Sequence, residues 1–112
     1  MAYTSRLTWE TLRSRDSATL NGTYQTLGSA LAHPSYILKV VNNSTVLVTI
    51  SIDGSTDIDV APANSFWLYD EGKVGLHGSY PALPQGTQIY VKGSAGTGSI
   101  YLVSQYIIQE SN

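Results

Sequence analysis

The residues best spaced for chemistry lie toward the C-terminal end, in Val91-Lys92-Gly93-Ser94-Ala95-Gly96-Thr97-Gly98-Ser99-Ile100. Gly93 and Gly98 are separated by four residues, as at the opening of a phosphate-binding loop, whose amides cradle phosphate at the head of a helix. That chemistry also needs a Lys for the terminal phosphates and a Ser or Thr for magnesium. Ser99 stands at the Lys position and Ile100 at the hydroxyl position. The run Ile100-Tyr101-Leu102-Val103 that follows is β-branched and aromatic, which favours a strand over a helix. The glycines therefore read as the turn of a hairpin.

The other reactive groupings are thinner still. Asp53-Gly54-Ser55-Thr56-Asp57-Ile58-Asp59 offers oxygens to calcium but lacks the EF-hand order and its closing bidentate Glu. Asp57 and Asp59 would share one side of a strand, and Asp53-Gly54 reads as a solvated turn. His33 precedes Pro34 at a strand entry, and His77 lies in a Gly/Pro-rich loop. No Gly-x-Ser-x-Gly nucleophile elbow accompanies either. Asp70 and Glu71 are adjacent, so their carboxylates diverge in an extended chain and make a poor glycosidase pair. No catalytic, cofactor or metal site is expected, and an enzyme is the least supported class.

Composition narrows the field further. At 112 residues the chain is one domain, large enough to bury a core without staples. It has no cysteine, so disulfide frameworks and thiolate metal sites are excluded. Charged residues make up 12%, about half of ordinary usage, and Ser, Thr, Gly, Asn and Tyr fill their place. The six basic residues are scattered apart from a small N-terminal Arg cluster, so no nucleic-acid stripe is expected. No apolar run approaches the roughly 18 residues of a membrane span. The first residues lack an apolar signal region, which implies folding in the cytoplasm.

From about Tyr24 the hydrophobic period is two. Tyr36–Val41 and Thr45–Ile52 flank Asn42-Asn43-Ser44 and read as a hairpin, with Val46, Val48, Ile50 and Ile52 on one face. Asp57–Val60 can return after the Asp-Gly turn. Ala61-Pro62-Ala63-Asn64 breaks the sheet before Ser65–Tyr69, where Phe66 and Leu68 face one side and Trp67 and Tyr69 the other. Asp70 to Gly86 reads as a long loop. Thr87–Lys92 and Ser99–Ile108 make the last hairpin. Its second strand is apolar on both faces, with Ile100, Leu102, Tyr106 and Ile108 on one and Tyr101, Val103 and Ile107 on the other. Such a strand is central or buries its outer face against something else. The fold class is all-β, a single antiparallel β-sandwich, jelly-roll-like or immunoglobulin-like, over residues 17–112. Residues 1–16 form an N-terminal arm or a first strand.

The aromatics set a further expectation. The chain has eight Tyr and two Trp, residues whose large area and polar tip suit interfaces. Since one face of a sheet lines the core, either a second layer covers Trp67 and Tyr69 or they face a partner.

The succession NNSTVLVTISIDGSTDIDVAPANSFWLYD followed by LPQGTQIYVKGSAGTGSIYLVSQY resembles small virion structural proteins of tailed bacteriophages. The likeness rests on the Asn-Asn link, the Ile-Asp-Gly turn, the Val-x-Pro-Ala-x-Ser-Phe-x-Leu-Tyr-Asp run and the Pro-x-Gly-Thr-Gln-x-Tyr-Val strand. It covers most of residues 36 to 106, and SRLTWETLRS also fits. The resemblance implies a β-sandwich at repeated positions on a virion, decorating or cementing the capsid, or serving at the head–tail neck. Its partners would be other virion proteins and copies of itself. The contact candidates are Arg6, Trp9, Arg13, Trp67, Tyr69, Gly93, Gly96 and Gly98. An alternative of another class is a module that binds host glycans through an exposed aromatic ledge.

Overall fold

The period-two alternation at Ile37–Ser44 and Gly98–Ser111 builds the two longest strands, and they lie side by side. The structure is a computed structural model and describes residues 3–70 and 83–111. Those residues form nine strands: β1 (Tyr3–Trp9), β2 (Arg13–Asp16), β3 (Gln25–Thr26), β4 (Ile37–Ser44), β5 (Val48–Ser51), β6 (Asp59–Ala61), β7 (Ser65–Asp70), β8 (Tyr90–Lys92) and β9 (Gly98–Ser111). A single 3-10 turn, Ser17–Thr19, follows β2, capped by the Asp16 carboxylate accepting from the Ala18 amide at 2.9 Å.

Two antiparallel sheets result, consistent with a β-sandwich. The first runs β1-β9-β4-β7, with β2 continuing the β1 edge along the other half of β9. The second runs β3-β8-β5-β6. The two orders run in step. The members of each pair β2/β3, β8/β9, β4/β5 and β6/β7 are consecutive in the chain and occupy matching places in opposite sheets.

That arrangement corrects the hairpin readings. β4 pairs with β7 and β9, whereas β5 pairs with β6 and β8. Asn42-Asn43-Ser44 is therefore the end of a strand, and residues 45–47 cross between sheets. The glycine stretch after β8 is likewise a crossing, because β8 and β9 lie in different sheets. Only β5 and β6, around the Asp-Gly turn, form a hairpin of the expected kind. Residues 3–9 and 13–16 are strands hydrogen-bonded to β9, so the N-terminal segment is part of the first sheet. The long loop expected from Asp70 to Gly86 falls mostly outside the described residues.

The core lies between the sheets, where Leu38, Val40, Val48, Ile50, Val91, Ile100 and Leu102 are buried with Leu20, Leu27, Leu31, Ala61 and Ile89. Asn42 is the largest polar side chain fully buried beside them. Its amide nitrogen donates to the carbonyls of Val46 at 2.8 Å, Ala61 at 2.8 Å and Pro62 at 3.1 Å. Its oxygen accepts from the Ser44 hydroxyl. Three converging carbonyls demand a donor, which fixes the amide orientation. The contact ties the β4–β5 crossing to the β6–β7 crossing.

The glycine crossing is stitched down just as closely. Gly22 N donates to Gly93 O at 2.8 Å, Gly96 N to Ser17 O at 3.2 Å, and Thr45 N to Thr97 O at 3.0 Å. Gly98 has φ of +109°, and a Cβ there would lie 2.1 Å from the Asn43 carbonyl oxygen. Only glycine allows both the dihedral and the approach.

Both contacts are open to measurement. Asn42→Asp keeps the shape but sets a carboxylate against three carbonyls, and should cost about 3 kcal/mol in urea unfolding at neutral pH. Gly98→Ala should cost about 2–3 kcal/mol, read as a lower midpoint at constant slope. A variant of either kind as stable as the parent would refute the corresponding contact.

Candidate functional site

The outward side of the first sheet is apolar. On β4 the residues turned away from the core are Ile37, Lys39, Val41 and Asn43, and on β9 they include Tyr101 and Val103. Register carries the pattern across the sheet, since Val41 lies opposite both Tyr101 and Phe66, and Lys39 opposite both Val103 and Leu68. Trp9, at the end of β1, adds an aromatic wall beside Gln105. Trp9 is 63% exposed, Phe66 57% and Leu68 48%. Together these side chains line a shallow hollow of about 800 Å³. At strand spacings of about 4.8 Å and a rise of about 3.4 Å, the face measures roughly 15 Å by 20 Å. Lys39 is the one charge in its middle, half-buried between Leu68 and Val103. An apolar patch of this extent is characteristic of an interaction site.

The expected contact residues are distributed differently from one another. Trp9 belongs to this face. Arg6 is exposed on β1, its guanidinium near the Leu7 carbonyl at 3.4 Å. Trp67 and Tyr69 turn inward and pack against the core, so the second sheet covers them and the outward pair on β7 is Phe66 and Leu68. The Trp67 indole N–H donates to the Asp59 carboxylate at 2.6 Å, closing the β6/β7 edge of the sandwich. Arg13 closes the opposite edge, donating to the carbonyls of Ser29 at 2.8 Å and Ala30 at 2.9 Å. Arg15 does the same toward Thr26 O at 2.7 Å and the Gln25 side chain at 2.7 Å. Gly93, Gly96 and Gly98 pack on the 43–47 crossing, away from the apolar face.

A second cluster had no signal in the sequence. The Glu10 side chain, 3% exposed, accepts from Arg13 at 2.8 Å, from the amides of Ala32 at 3.2 Å and His33 at 2.8 Å, and from His33 Nδ1 at 3.0 Å. The His33 ring stacks on Tyr106 with centroids 3.7 Å apart. A carboxylate accepts only, so Nδ1 carries the proton. Glu10 and His33 are 23 residues apart, and the fold alone brings them together. A histidine oriented by a carboxylate is the base half of a hydrolytic triad. Among the described residues no hydroxyl hydrogen-bonds this ring, and the cluster acts as a latch between the β1–β2 bend and residues 32–33.

The acidic turn does not converge. Asp53 accepts from the amides of Ser55 and Thr56 and from the Ser51 hydroxyl, which hold its carboxyl far below the ordinary range. Asp57 takes the Tyr24 hydroxyl and the Lys92 ammonium, and both lower its pKa. Burial and then Asp57 push the Tyr24 phenol up to about 12. Asp59 is engaged by Trp67. Among the described residues no group of three or more His, Cys, Asp or Glu is gathered to hold a metal. His77 and Glu71 lie outside the described residues. No family model matches the chain, and no curated protein matches it.

The latch has a pH signature. Burial opposes the Glu10 charge, but Arg13, the Ala32 amide and His33 outweigh it and hold the carboxyl below its ordinary value of 4.5. Its contribution is therefore complete above the unfolded value and is lost as pH falls through the lower, folded value. Glu10→Gln should cost about 2 kcal/mol at pH 7, with the gap from the parent closing in stronger acid. Urea unfolding of both proteins across pH measures it, and a gap independent of pH would dismiss the charged latch.

Proposed function

We propose that the chain is a non-enzymatic structural protein of tailed-bacteriophage virions, bound to the particle through the outward apolar face of its first sheet and decorating or cementing the capsid. The observation that carries this reading is that face. It holds Trp9, Val41, Phe66, Leu68, Tyr101 and Val103 in a chain otherwise rich in small polar residues. The motif resemblance over residues 36 to 106 supplies the virion context. Partners are the major capsid protein or, at a neck or tail position, the corresponding ring proteins, and the protein resides in the virion after folding in the host cytoplasm.

Stable docking buries roughly 800 Å² on each partner. The apolar face supplies the desolvated centre of such a contact, and the polar Ser, Thr and Asn residues around it supply the rim. Lys39 at its middle favours a partner that places a carboxylate or carbonyl there. A glycan ledge needs exposed aromatics with polar neighbours; Trp67 packs on the core, and the exposed Trp9 and Phe66 share their hollow with Val41, Leu68 and Val103, which favours an apolar protein partner.

Quantitative mass spectrometry of purified virions tests the assignment. A capsid position gives on the order of hundreds of copies, and a neck ring about a dozen, because closed symmetry sets the count. Trp9→Ser with Val103→Glu should leave stability within about 1 kcal/mol of the parent and reduce incorporation at least about tenfold. Absence of the chain from virions, or unimpaired incorporation of the double variant, would overturn the proposal.

A further inference from the structure

The cationic side chains on the described residues are engaged within the chain, with one exception. Arg13 reaches Glu10 and the carbonyls of Ser29 and Ala30, and Arg15 reaches Thr26 and Gln25. Lys92 pairs with Asp57 at 3.0 Å, and Arg6 has partners of its own. Among the described residues Lys39 alone carries a positive charge with no hydrogen bond or ion pair.

Its place in the sheet makes that exception informative. Ile37 and Val41 precede and follow Lys39 on the outward side of β4, and Val103 and Leu68 flank it on β9 and β7. The carboxylate closest to it in the register is Asp70, diagonal to it beyond Leu68, and Asp70 has a partner other than Lys39. The chain as a whole is acidic, at −2, yet Lys39 is the one charged residue that lines the hollow. A lysine standing on apolar neighbours lays its stem along them and keeps its head wet. That suffices while the face is open to water. It fails when a partner covers the face, because an ammonium stripped of water with nothing to neutralise it is costly to bury.

Taking the virion reading as the basis, we infer that the docking partner sets one Asp or Glu side chain on the Lys39 ammonium, with apolar side chains to either side of it in the docking segment. A partner carbonyl would satisfy one N–H donor and leave the charge, whereas a carboxylate does both. The acid belongs to a side chain and not to a chain terminus. Trp9 and Phe66 stand at opposite corners of the hollow with Lys39 between them, so the segment must run on past Lys39 in both directions to cover them. The pair also selects the partner, since a neutral or basic segment in the same hollow leaves the ammonium bare.

Variants of Lys39 test this in the free chain and in the particle. Because the ammonium has no partner within the chain, Lys39→Met should leave the urea midpoint of the purified protein unchanged or raise it, at constant slope. In virions the same variant strands the partner's carboxylate, and incorporation should fall at least about tenfold. Lys39→Arg keeps the charge and should recover most of it. Cross-linking of purified parent virions with a water-soluble carbodiimide reads the contact directly. The reagent converts a carboxylate to an acylisourea, the Lys39 amine attacks its acyl carbon, the urea leaves, and an amide bond forms with no spacer. Mass spectrometry should find Lys39 joined to an Asp or Glu of another virion protein, with the Lys92–Asp57 pair of this chain as the internal standard. A lowered midpoint for Lys39→Met, or incorporation of that variant equal to the parent's, overturns the inference. So does a Lys39 cross-link to a chain terminus or to a second copy of this chain, or no Lys39 cross-link where Lys92 and Asp57 are joined. Each of these leaves the virion assignment standing, whereas absence of the parent from virions overturns that assignment and the docking segment with it.

Discussion

The Asn42 amide is the interaction on which the rest of the sandwich hangs. It is fully buried near the end of β4 and holds carbonyls from the β4–β5 and β6–β7 crossings. Those carbonyls sit where the backbone passes from one sheet to the other, and strand pairing cannot satisfy them there. An apolar side chain at this point would leave them bare in the core. Without this amide the two crossings would have to open to water, and Val40, Val48 and Ala61 would be uncovered with them. A buried polar group of this kind gives specificity as well as stability, because it is satisfied in one arrangement of the crossings.

The crossings also explain which parts of the fold were legible. Strand positions and the inward faces of β4, β5 and β9 follow from alternation, since burial of Leu38, Val40, Ile50, Ile100 and Leu102 requires it. Alternation is blind to what a turn joins. Two strands linked by a short polar segment bury the same residues whether they hydrogen-bond side by side or face one another across a core. Asn42-Asn43-Ser44 and the glycines after Lys92 therefore read as hairpin turns and proved to be strand end and crossing. The discriminating features are three-dimensional: an asparagine with three carbonyl partners, and a glycine within 2.1 Å of another strand's carbonyl when given a Cβ.

The site was half legible for a related reason. Phe66 and Leu68 were separable from Trp67 and Tyr69 by parity, but parity does not say which pair is covered. The indole nitrogen decides it: Trp67 has Asp59 within reach on the facing sheet, which satisfies its one donor while the ring packs on the core. Phe66 has no polar atom to place and lies outward beside Val41. The edge arginines were misleading in the opposite sense. Arg13 and Arg15 form the N-terminal charge cluster in the sequence, and their guanidinium groups are spent on backbone carbonyls of residues 26 to 30. The Glu10 latch was invisible because its members become neighbours only when β1, β2 and residues 32–33 have docked.

Once the edges are closed by Trp67–Asp59 on one side and Arg13 and Arg15 on the other, what is left over is the outward side of the first sheet. The core needs only the inward residues of β4, β7 and β9. Val41, Tyr101 and Val103 add nothing to it, yet they are apolar, and threonine or serine would serve a solvated sheet as well, as on so much of this surface. The second sheet shows the contrast: Thr49 lies between Val60 and Lys92 on its outer side, a mixed and solvated row. Under the proposed function, these apolar residues, which folding does not require, would be buried against another virion protein. Leu47, Ile58 and Val60, on or beside β5 and β6, are exposed as well, but it is on the first sheet that Trp9, Val41, Phe66, Leu68, Tyr101 and Val103 line one common hollow.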